Sequence, residues 1–552
     1  MKHRPLFFSF LILVSAVLIR GLLLEYSDLL DPTESRYASV SQEMVLSGDW
    51  TTPRLPMSEG IMPYMGKPPL HFWLTAGAYS LFGVDEWTAR LPSWLASIAI
   101  LLVVWSFGQR FYSKEVGVAS ALMAFSSGML FFLAGASVVD VTLTALVTAS
   151  TYSLYLLIRS NGAQWKLGYL SSFLMALAFL TKGPIAIVLV WLPILLWSLI
   201  LKDFQWRKSI PWFSCFLVFL VFTTPWFVLN EIRNPGSILY FFWNENIARY
   251  LFKEYGDKYG SGHVHTYGFS WLILIAAFMP WSIVTAWTIY RNGWRRVINL
   301  LKTDRNSLFA LMWGTSGAAF FTFVRQLHGM YVLPCIPGMA LFCAVLFFEN
   351  KENLPLHIFE RLKSRNLQLV IFVISVVLIV AGVWLGFSSF ALILGVALTA
   401  VGIMFLGKIN EINTKMAAVQ VLSVTSFLMY LLVIICLGPY IDERRSAGEL
   451  LNDIADAAVL QKRVPQVGVM TKNSFSLFWT SKAWESELSR ELHVRYVEAE
   501  QIPKNIGHVI LRAKDASMLP ELERKGFAFA KQQGDWKLYS RKNNNRSHLY
   551  PS

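Results

Sequence analysis

Apolar runs of about 20 residues, separated by short polar segments, repeat along most of the chain. A run of this length is enough to cross a bilayer as a helix, so the pattern predicts an α-helical polytopic membrane protein with about thirteen transmembrane helices. The shorter apolar segment 69–83 predicts a re-entrant or interfacial helix. The predicted spans are 5–24, 88–108, 115–135, 138–158, 167–182, 184–201, 209–229, 267–289, 307–327, 331–349, 367–387, 389–407 and 416–440.

Lys and Arg residues fix the expected orientation of these spans. With a cytoplasmic N-terminus, the basic residues collect in the inner loops, whereas the outer turns near 136, 183, 329 and 388 carry almost none. This is the distribution of the positive-inside rule. It places outer loops at 25–87 and 230–266. The N-terminal run resembles a signal peptide without a small-residue cleavage site, so we expect it to remain as the first span.

The chain changes character at about Asp442, where a polar tail begins. A helical stretch at 444–460 and strand-like runs at 467–469 and 508–511 alternate in this tail. The pattern predicts a soluble α/β domain at 442–552, following a transmembrane domain at 1–441. With the orientation above, this domain lies outside the cytoplasm, and we expect a lid or a docking platform.

Composition excludes two other classes of protein. The chain has 552 residues, 55% of them apolar, and a formal net charge of +14. Nucleic-acid binding is not expected, because the basic residues lie mainly in loops where they set topology. The four cysteines fall in apolar helical stretches and are typical of buried hydrophobic residues, not of a disulfide framework.

Ionisable and polar side chains gather at the outer ends of the predicted spans. Because such groups are costly beside hydrocarbon, their coincidence at one depth predicts an outward-facing cavity containing carboxylates and cations. This mixture suits transfer from a lipid phosphate: cations neutralise the phosphate and a carboxylate takes the proton of the attacking hydroxyl. The residues are Asp31, Glu34, Arg36, Lys67, Asp140, Lys182, Glu245, Arg249, His263, His265, Arg325 and Tyr331.

Several of these residues also have simpler interpretations. Asp140 is placed to cap the helix that follows it. Lys182 and Arg325 have the length to reach lipid headgroups from helix ends, and Tyr331 suits an interfacial anchor. The pair His263 and His265 is a weak candidate for a metal site, because no third ligand stands near it in the sequence.

A set of motifs in the first 340 or so residues resembles a known family. The chain resembles the bacterial integral-membrane glycosyltransferases of the GT-C fold, related to protein O-mannosyltransferases, and in particular the 4-amino-4-deoxy-L-arabinose lipid A transferases. The resemblance lies in the segments 31–38, 48–53, 67–73 and 90–92, in Asp140, and in the segments 181–183, 225–226, 241–250 and 331–334.

The resemblance implies roles for individual residues. Asp31 corresponds to an essential carboxylate of the first outer loop, which acts as the base or orients the acceptor, and Asp140 corresponds to a second required acid. Lys67 corresponds to a ligand of the donor phosphate, and Arg249 and Tyr331 correspond to positions near that phosphate. From the residues themselves, Glu34 is the alternative catalytic carboxylate, and Arg36, Lys182 and Arg325 are further candidates for phosphate binding.

Two departures bear on cofactors and specificity. Many relatives carry Glu immediately before Lys-Pro-Pro, a position linked to a metal, whereas this chain has Gly66. The need for a divalent metal is therefore open, and no other cofactor is expected. Relatives often carry a second Lys where this chain has His328, so a charge there depends on pH.

The resemblance implies an inverting transferase in the bacterial inner membrane. It would take a sugar from an undecaprenyl-phosphate donor and move it, on the periplasmic side, to lipid A or another envelope glycolipid, acting as a monomer among membrane lipids. Two alternatives stay open: a protein O-mannosyltransferase-like enzyme, and a transporter of a lipid-linked substrate. The transporter is disfavoured because the charges gather at one face and no internal repeat is evident.

Overall fold

The apolar runs form helices over most of the chain. The computed structural model describes residues 4–57, 60–248, 263–348, 415–445, 450–451, 453–454, 466–470, 476–478, 493–498 and 502–541. The predicted spans 367–387 and 389–407 lie outside the described residues. The longer α-helices are Arg4–Leu22, Thr33–Ser47, Leu70–Phe82, Glu86–Phe111, Lys114–Phe125, Val139–Arg159, Lys166–Lys182, Ile185–Leu201, Trp212–Arg233, Phe269–Ala277, Trp281–Asn292, Trp294–Thr303, Arg305–Phe320, Ile336–Phe348 and Lys415–Arg445.

The helices make the chain a multi-pass membrane protein. Within the described residues, six helices are long and apolar enough to cross a bilayer, or seven if one bent pair counts as a single span. That pair, Phe269–Ala277 and Trp281–Asn292, is bent by 100°. The sequence predicted one continuous span at 267–289, so this is a correction. Pro280 is the N-cap residue of the second helix, and a proline has no backbone N–H with which to continue the first helix.

Shorter elements connect the helices. Gly128–Leu133 and Leu519–Arg524 are short α-helices, and Ser237–Leu239 is a single turn. The turn continues into a π-helix, Tyr240–Ala248. The 3₁₀ segments are Gln205–Ser209, Phe321–Phe323, Gly329–Cys335 and Ala513–Met518.

Nine strands lie in three sheets within the described residues. The strands are β1 Arg54–Met57, β2 Gly60–Pro63, β3 His263–Val264, β4 Gln326–Leu327, β5 Gln466–Val469, β6 His493–Tyr496, β7 His508–Arg512, β8 Phe527–Gln533 and β9 Trp536–Arg541. Two of the sheets are short antiparallel ribbons, and the third has five strands in the order β6-β5-β7-β9-β8. In the five-stranded sheet β5 pairs in parallel with β6 and β7, and β9 pairs antiparallel with β7 and β8.

The chain divides into two compact units. The first, which we call the helical unit, contains Met1–Leu23, Gly66–His71 and Pro92–Cys436. The second, the loop-and-sheet unit, contains Leu24–Met65, Phe72–Leu91 and Leu437–Ser552. The boundary at 441/442 that the sequence suggested stays a prediction.

Glycine contacts bring helices of the helical unit together. A Cβ added to Gly338 would lie 2.3 Å from the backbone nitrogen of Gly314 and 2.8 Å from the carbonyl oxygen of Ala310. The helices Arg305–Phe320 and Ile336–Phe348 therefore pack backbone against backbone at this point. Small residues allow such close approach between helices in membranes, where the hydrophobic effect between helices is weak.

We expect Gly338→Ala to destabilise the protein by about 1–3 kcal/mol, the usual cost of overpacking, since the added methyl group meets backbone atoms. Gly77→Ala is the matched control, because a Cβ at Gly77 meets nothing within 4 Å. In that open helical position Ala gains up to about 1 kcal/mol over Gly. Thermal unfolding in detergent measures both variants. Equal stability of the two would contradict the close packing.

Candidate functional site

A cavity in the helical unit has both polar and apolar walls. Its volume is about 310 Å³. The polar lining side chains are those of Lys67, Asp140, Lys182, Glu245, Asn246 and Tyr331. The apolar lining residues are Leu143, Pro184, Ile185, Val188, Leu189, Ile247, Phe320, Phe321 and Val324. The wall of the cavity therefore combines charged groups with hydrocarbon side chains.

Asp140 and Lys182 form a buried ion pair in this cavity. Lys182 Nζ donates to Asp140 Oδ1 at 2.5 Å, and the two side chains are 11% and 5% exposed. Asp140 lies in the first turn of the helix Val139–Arg159, where the helix dipole favours a negative charge. The helix makes no side-chain cap hydrogen bond at Val138, and the Asp140 carboxylate points to Lys182 instead. The capping interpretation of Asp140 does not describe these contacts.

Lys182 is held by an aromatic ring as well as by the carboxylate. Its Nζ lies 4.1 Å from the centroid of the Tyr331 ring, within the range of a cation–π interaction. Tyr331 is 9% exposed and belongs to the 3₁₀ segment Gly329–Cys335. The contacts of Lys182 are thus with protein groups of the cavity and not those of a side chain that extends to lipid headgroups.

Lys67 forms the second ion pair of the cavity. Its Nζ lies 3.5 Å from Glu245 Oε2 and donates to the carbonyl oxygen of Gly66 at 2.6 Å. Glu245 belongs to the π-helix Tyr240–Ala248, a helical form that is often found at functional sites. The side chains of Lys67 and Glu245 are 16% and 6% exposed.

Glu245 was predicted from the sequence only as one of the polar groups of the cavity, without a role of its own, and Asn246 was not singled out. Both lie in the segment 241–250 that carries the family resemblance, and this was the available signal. The contact between Glu245 and Lys67 was not visible in the sequence, because 178 residues separate the two. Arg249 and Tyr250, in the same segment, lie outside the described residues.

His71 follows the cavity residue Lys67 closely in the sequence and is a buried, neutral side chain. Its Nδ1 is 3.0 Å from the Thr142 hydroxyl, and the residue is 0% exposed. Burial lowers the pKa of His71 to about 4, although the charge of Asp140 acts in the opposite direction. The imidazole is therefore uncharged at neutral pH.

Asp31 is held by a network within the loop-and-sheet unit. Its carboxylate accepts hydrogen bonds from the Ser476 backbone nitrogen at 2.9 Å, from the Ser476 hydroxyl at 2.7 Å and from the Ser35 hydroxyl. Arg512 Nη2 lies 3.3 Å from Oδ2, and the Arg512 guanidinium also stacks over Trp536. Desolvation raises the pKa of Asp31, although these donors oppose it. The predicted role of Asp31 as a base stays a prediction.

Glu34 and Arg90 form a buried ion pair in the same unit. Arg90 Nε donates to Glu34 Oε1 at 2.7 Å, and the two side chains are 3% and 8% exposed. The Arg90 guanidinium also donates to the carbonyl oxygens of Leu24, Ser27 and Asp28. Glu34 therefore fixes the guanidinium that holds the backbone of residues 24–28 in place.

The remaining predicted residues have other surroundings. The Arg36 guanidinium lies 5.3 Å from the Tyr37 ring centroid. Arg325 is exposed and lies over the Tyr267 ring. His265 stacks on Phe269, and His263 belongs to the short strand β3. Among the described residues, no group of three or more His, Cys, Asp or Glu side chains is arranged to hold a metal ion.

Comparisons with known proteins agree with the sequence resemblance. Residues 66–228 match the family model of dolichyl-phosphate-mannose-protein mannosyltransferases. An undecaprenyl phosphate-alpha-4-amino-4-deoxy-L-arabinose arabinosyl transferase of Pseudomonas fluorescens is 28% identical over 56% of this chain and 52% of its own length. Its counterpart in Proteus mirabilis is 27% identical over 63% and 60%. The matched region is thus about half of each relative.

A solved structure shows the fold. The crystal structure of ArnT from Cupriavidus metallidurans, bound to undecaprenyl phosphate, superposes with a TM-score of 0.75 and 20% identity, covering 98% of both chains. The apo form of the same protein gives a TM-score of 0.72. The predicted similarity is confirmed: the chain resembles these transferases in sequence, and it has the fold of ArnT.

We expect Glu34→Ala to destabilise the protein by about 3–5 kcal/mol, because it leaves the buried Arg90 guanidinium without its counter-charge. Arg305→Gln is the control, since the Arg305–Asp203 pair is 53% and 33% exposed and an exposed pair contributes at most about 1 kcal/mol. Thermal unfolding of the purified proteins measures the difference. A loss no larger than that of the control would show that the Glu34–Arg90 pair is not structural.

Proposed function

We propose that this chain is an inverting glycosyltransferase that takes a sugar from undecaprenyl phosphate and moves it to lipid A or another envelope glycolipid. The observation that supports this most directly is the cavity in which Lys67 and Lys182 lie beside an apolar wall. A polyprenyl phosphate has the same two parts, a phosphate and a hydrocarbon chain. Lysine ammonium groups are point charges suited to the phosphate, and the aliphatic and phenylalanine side chains suit the hydrocarbon chain of the lipid.

The proposed reaction is a single displacement. The acceptor hydroxyl oxygen attacks the anomeric carbon from the face opposite the phosphate, and the phosphate leaves with the electron pair of the broken bond. The configuration therefore inverts. The donor is a phosphate diester, and its leaving group is undecaprenyl phosphate, a stabilised monoester anion, so the reaction needs no general acid. The lysines neutralise the charge that grows on the phosphate, which is the usual form of electrostatic catalysis.

A carboxylate accepts the proton of the acceptor hydroxyl. The family resemblance predicts Asp31 for this role and Asp140 as a second required acid. Asp140 and Glu245 are the carboxylates among the described lining residues of the cavity. Arg36, Arg249 and Arg325 stay predictions as further phosphate ligands.

The residues present do not fit the metal that some relatives are linked to. Gly66 offers no side chain at the position of the Glu ligand, and its carbonyl oxygen accepts the hydrogen bond of Lys67. We therefore propose that the lysines, and no metal ion, supply the positive charge at the phosphate.

The names of the relatives support the proposed substrates. The relatives of Pseudomonas fluorescens and Proteus mirabilis are named for 4-amino-4-deoxy-L-arabinose, and we propose this sugar or a related one for the present chain. A protein acceptor is the second candidate, because the matching family model describes protein mannosyltransferases. Comparing lipid A and periplasmic glycoproteins between wild-type and deletion strains distinguishes the two acceptors. The monomeric state stays a prediction.

We expect purified protein to transfer the sugar from undecaprenyl phosphate 4-amino-4-deoxy-L-arabinose to lipid A, and Lys67→Ala to weaken donor use. Loss of a charge-assisted phosphate contact costs about 1.5–3 kcal/mol, or roughly 10- to 150-fold in donor affinity. The measurement is the rate at varied donor and acceptor concentrations. Lys114→Ala, at an exposed lysine, is the control. An unchanged donor dependence in Lys67→Ala would remove Lys67 from the site. If wild-type protein transfers the sugar neither to lipid A nor to a protein acceptor, the proposed function is contradicted.

We propose that this protein lies in the bacterial inner membrane with thirteen spans and a cytoplasmic N-terminus. The cavity would then face the periplasm.

We expect a cysteine at Ser47 or at Gln532 to react with a membrane-impermeant thiol reagent in intact spheroplasts, and a cysteine at Gln164 to react only after lysis. Cys215, Cys335 and Cys343 are buried, and replacing Cys436 by Ser completes the background. The reverse pattern of labelling would show that the topology is inverted.

A further inference from the structure

A short helix rich in basic residues lies between the bent helix pair and the next long helix of the helical unit. It runs Trp294–Thr303, and we call it the basic helix. Gly293, with a φ of +74°, separates it from the preceding helix. At its other end Asp304 is extended and accepts hydrogen bonds from the backbone nitrogens of Asn306 and Ser307, which begin the next helix. The basic helix is therefore a separate element and not the extension of a membrane helix.

The basic helix lies at the end of a membrane helix that is opposite the cavity. The helix Arg305–Phe320 follows it, and Phe320, at the far end of that helix, lines the cavity. A helix of 16 residues is about 24 Å long, which is most of the thickness of the hydrocarbon core of a bilayer. With the orientation proposed above, the basic helix therefore lies at the cytoplasmic surface.

The side chains of the basic helix divide into an apolar face and a polar face. At about 100° per residue, the apolar residues fall within an arc of about 160° and the others within the opposite part of the helix. The helix contains three basic residues and no acidic one. Such a helix is typical of segments that lie in a membrane interface. The apolar residues are Trp294, Val297, Ile298, Leu300 and Leu301, and the others are Arg295, Arg296, Asn299, Lys302 and Thr303.

The protein covers only one part of the apolar face. Val297 is buried, whereas Trp294 and Ile298, which are one turn apart, are 68% and 47% exposed. Tyr290, in the last turn of the preceding helix, is also exposed. Trp and Tyr side chains are enriched where a membrane protein meets the headgroups, because their rings are amphipathic. The uncovered part of the apolar face therefore fits the upper part of the acyl chains.

Two basic side chains border this uncovered part. Arg295 and Lys302 are seven residues apart, so they lie on one side of the helix, next to Ile298 and about 10 Å from each other along the axis. Both are exposed. Within the part of the chain that the structure describes, no carboxylate pairs with either of them. Both side chains only donate hydrogen bonds, so the group that complements them is an anion.

We propose that the basic helix lies in the membrane interface and binds anionic phospholipids. Trp294 and Ile298 contact the acyl chains, and Arg295 and Lys302 donate to the lipid phosphates. Arginine suits a phosphate through bidentate hydrogen bonds and lysine as a point charge. A headgroup with a net negative charge is preferred to phosphatidylcholine, because the choline cation cancels the charge of its phosphate. The proposed orientation enters only in naming the leaflet, which is the cytoplasmic one.

The test places a reporter on the basic helix and asks which lipid reaches it. Ile298→Cys, in full-length protein with Cys436→Ser, is labelled with bimane and reconstituted in nanodiscs. Quenching is measured with brominated phosphatidylglycerol in a phosphatidylcholine background and with brominated phosphatidylcholine in a phosphatidylglycerol background. The two titrations give the relative binding constant of the two lipids at this position. We expect both lipids to quench the label, with a clear preference for phosphatidylglycerol.

We expect Arg295→Gln combined with Lys302→Gln to lower this preference by about 30-fold, since each basic residue near an anionic surface contributes about fivefold. Lys504→Gln combined with Arg524→Gln is the matched control. It removes one lysine and one arginine charge at exposed positions of the loop-and-sheet unit, and the preference should stay that of wild-type protein. If the double variant of the basic helix does not fold, Lys302→Gln alone decides, with an expected loss of about fivefold.

Three results would overturn the proposal. Quenching of the label by iodide in the water phase and by neither lipid would place the uncovered apolar face in solvent or against a protein partner. Equal quenching by the two lipids would mean that the helix binds no particular headgroup. An equal loss of preference in the control would mean that the net charge of the protein, and not Arg295 and Lys302, selects the lipid. Sugar transfer enters none of these measurements, so their failure leaves the proposed function untouched.

Discussion

Charges buried beside hydrocarbon have to be paired, and this constraint organises the structure. An unpaired ionised side chain in a low-dielectric environment is far more costly than a buried ion pair. In the helical unit the constraint joins Lys182 to Asp140 and Lys67 to Glu245. These contacts connect segments that lie 42 and 178 residues apart in the sequence. The groups that hold the wall of the cavity together are therefore also the charged groups that line it.

Close packing of the helices makes the pairing possible. Glycines such as Gly314 and Gly338 let helix backbones approach to a distance that any side chain would prevent. Gly183, with a φ of +79°, ends the helix that carries Lys182 and turns the chain toward the next helix. A side chain there would also meet the ring of Phe241. The ammonium of Lys182 thus has its position because its own helix stops where Asp140 and Tyr331 can reach it.

The loop-and-sheet unit uses the same physical principle for a different purpose. Arg90 gathers three carbonyl oxygens of the segment before Thr33–Ser47 and pairs with Glu34. Asp31 accepts donors from Ser476 and Arg512, residues more than 400 positions further along the chain. The charged residues of the polar motif that begins at Asp31 therefore have structural contacts as well as predicted chemical roles. Carboxylates in this motif hold the loop in shape, and the two carboxylates of the cavity are Asp140 and Glu245.

The sequence by itself determined the class of protein and the positions of most described helices. It also singled out several charged residues that line the cavity. Apolar length and periodicity act locally, so Val139–Arg159 and Lys166–Lys182 form close to where the pattern predicts them. The positions of Asp140, Lys182 and Lys67 could be singled out because charge near hydrocarbon is conspicuous in a sequence, whereas Tyr331 was singled out through the family resemblance. Only the tertiary structure decided the pairing: it gave Glu34 to Arg90, gave Asp31 to Arg512, and brought Glu245 to Lys67 across 178 residues. The bend of 100° after Ala277 was likewise not visible as a break in hydrophobicity. Pairing and bending depend on where distant helices meet, and helix packing is set by contacts that no local pattern contains.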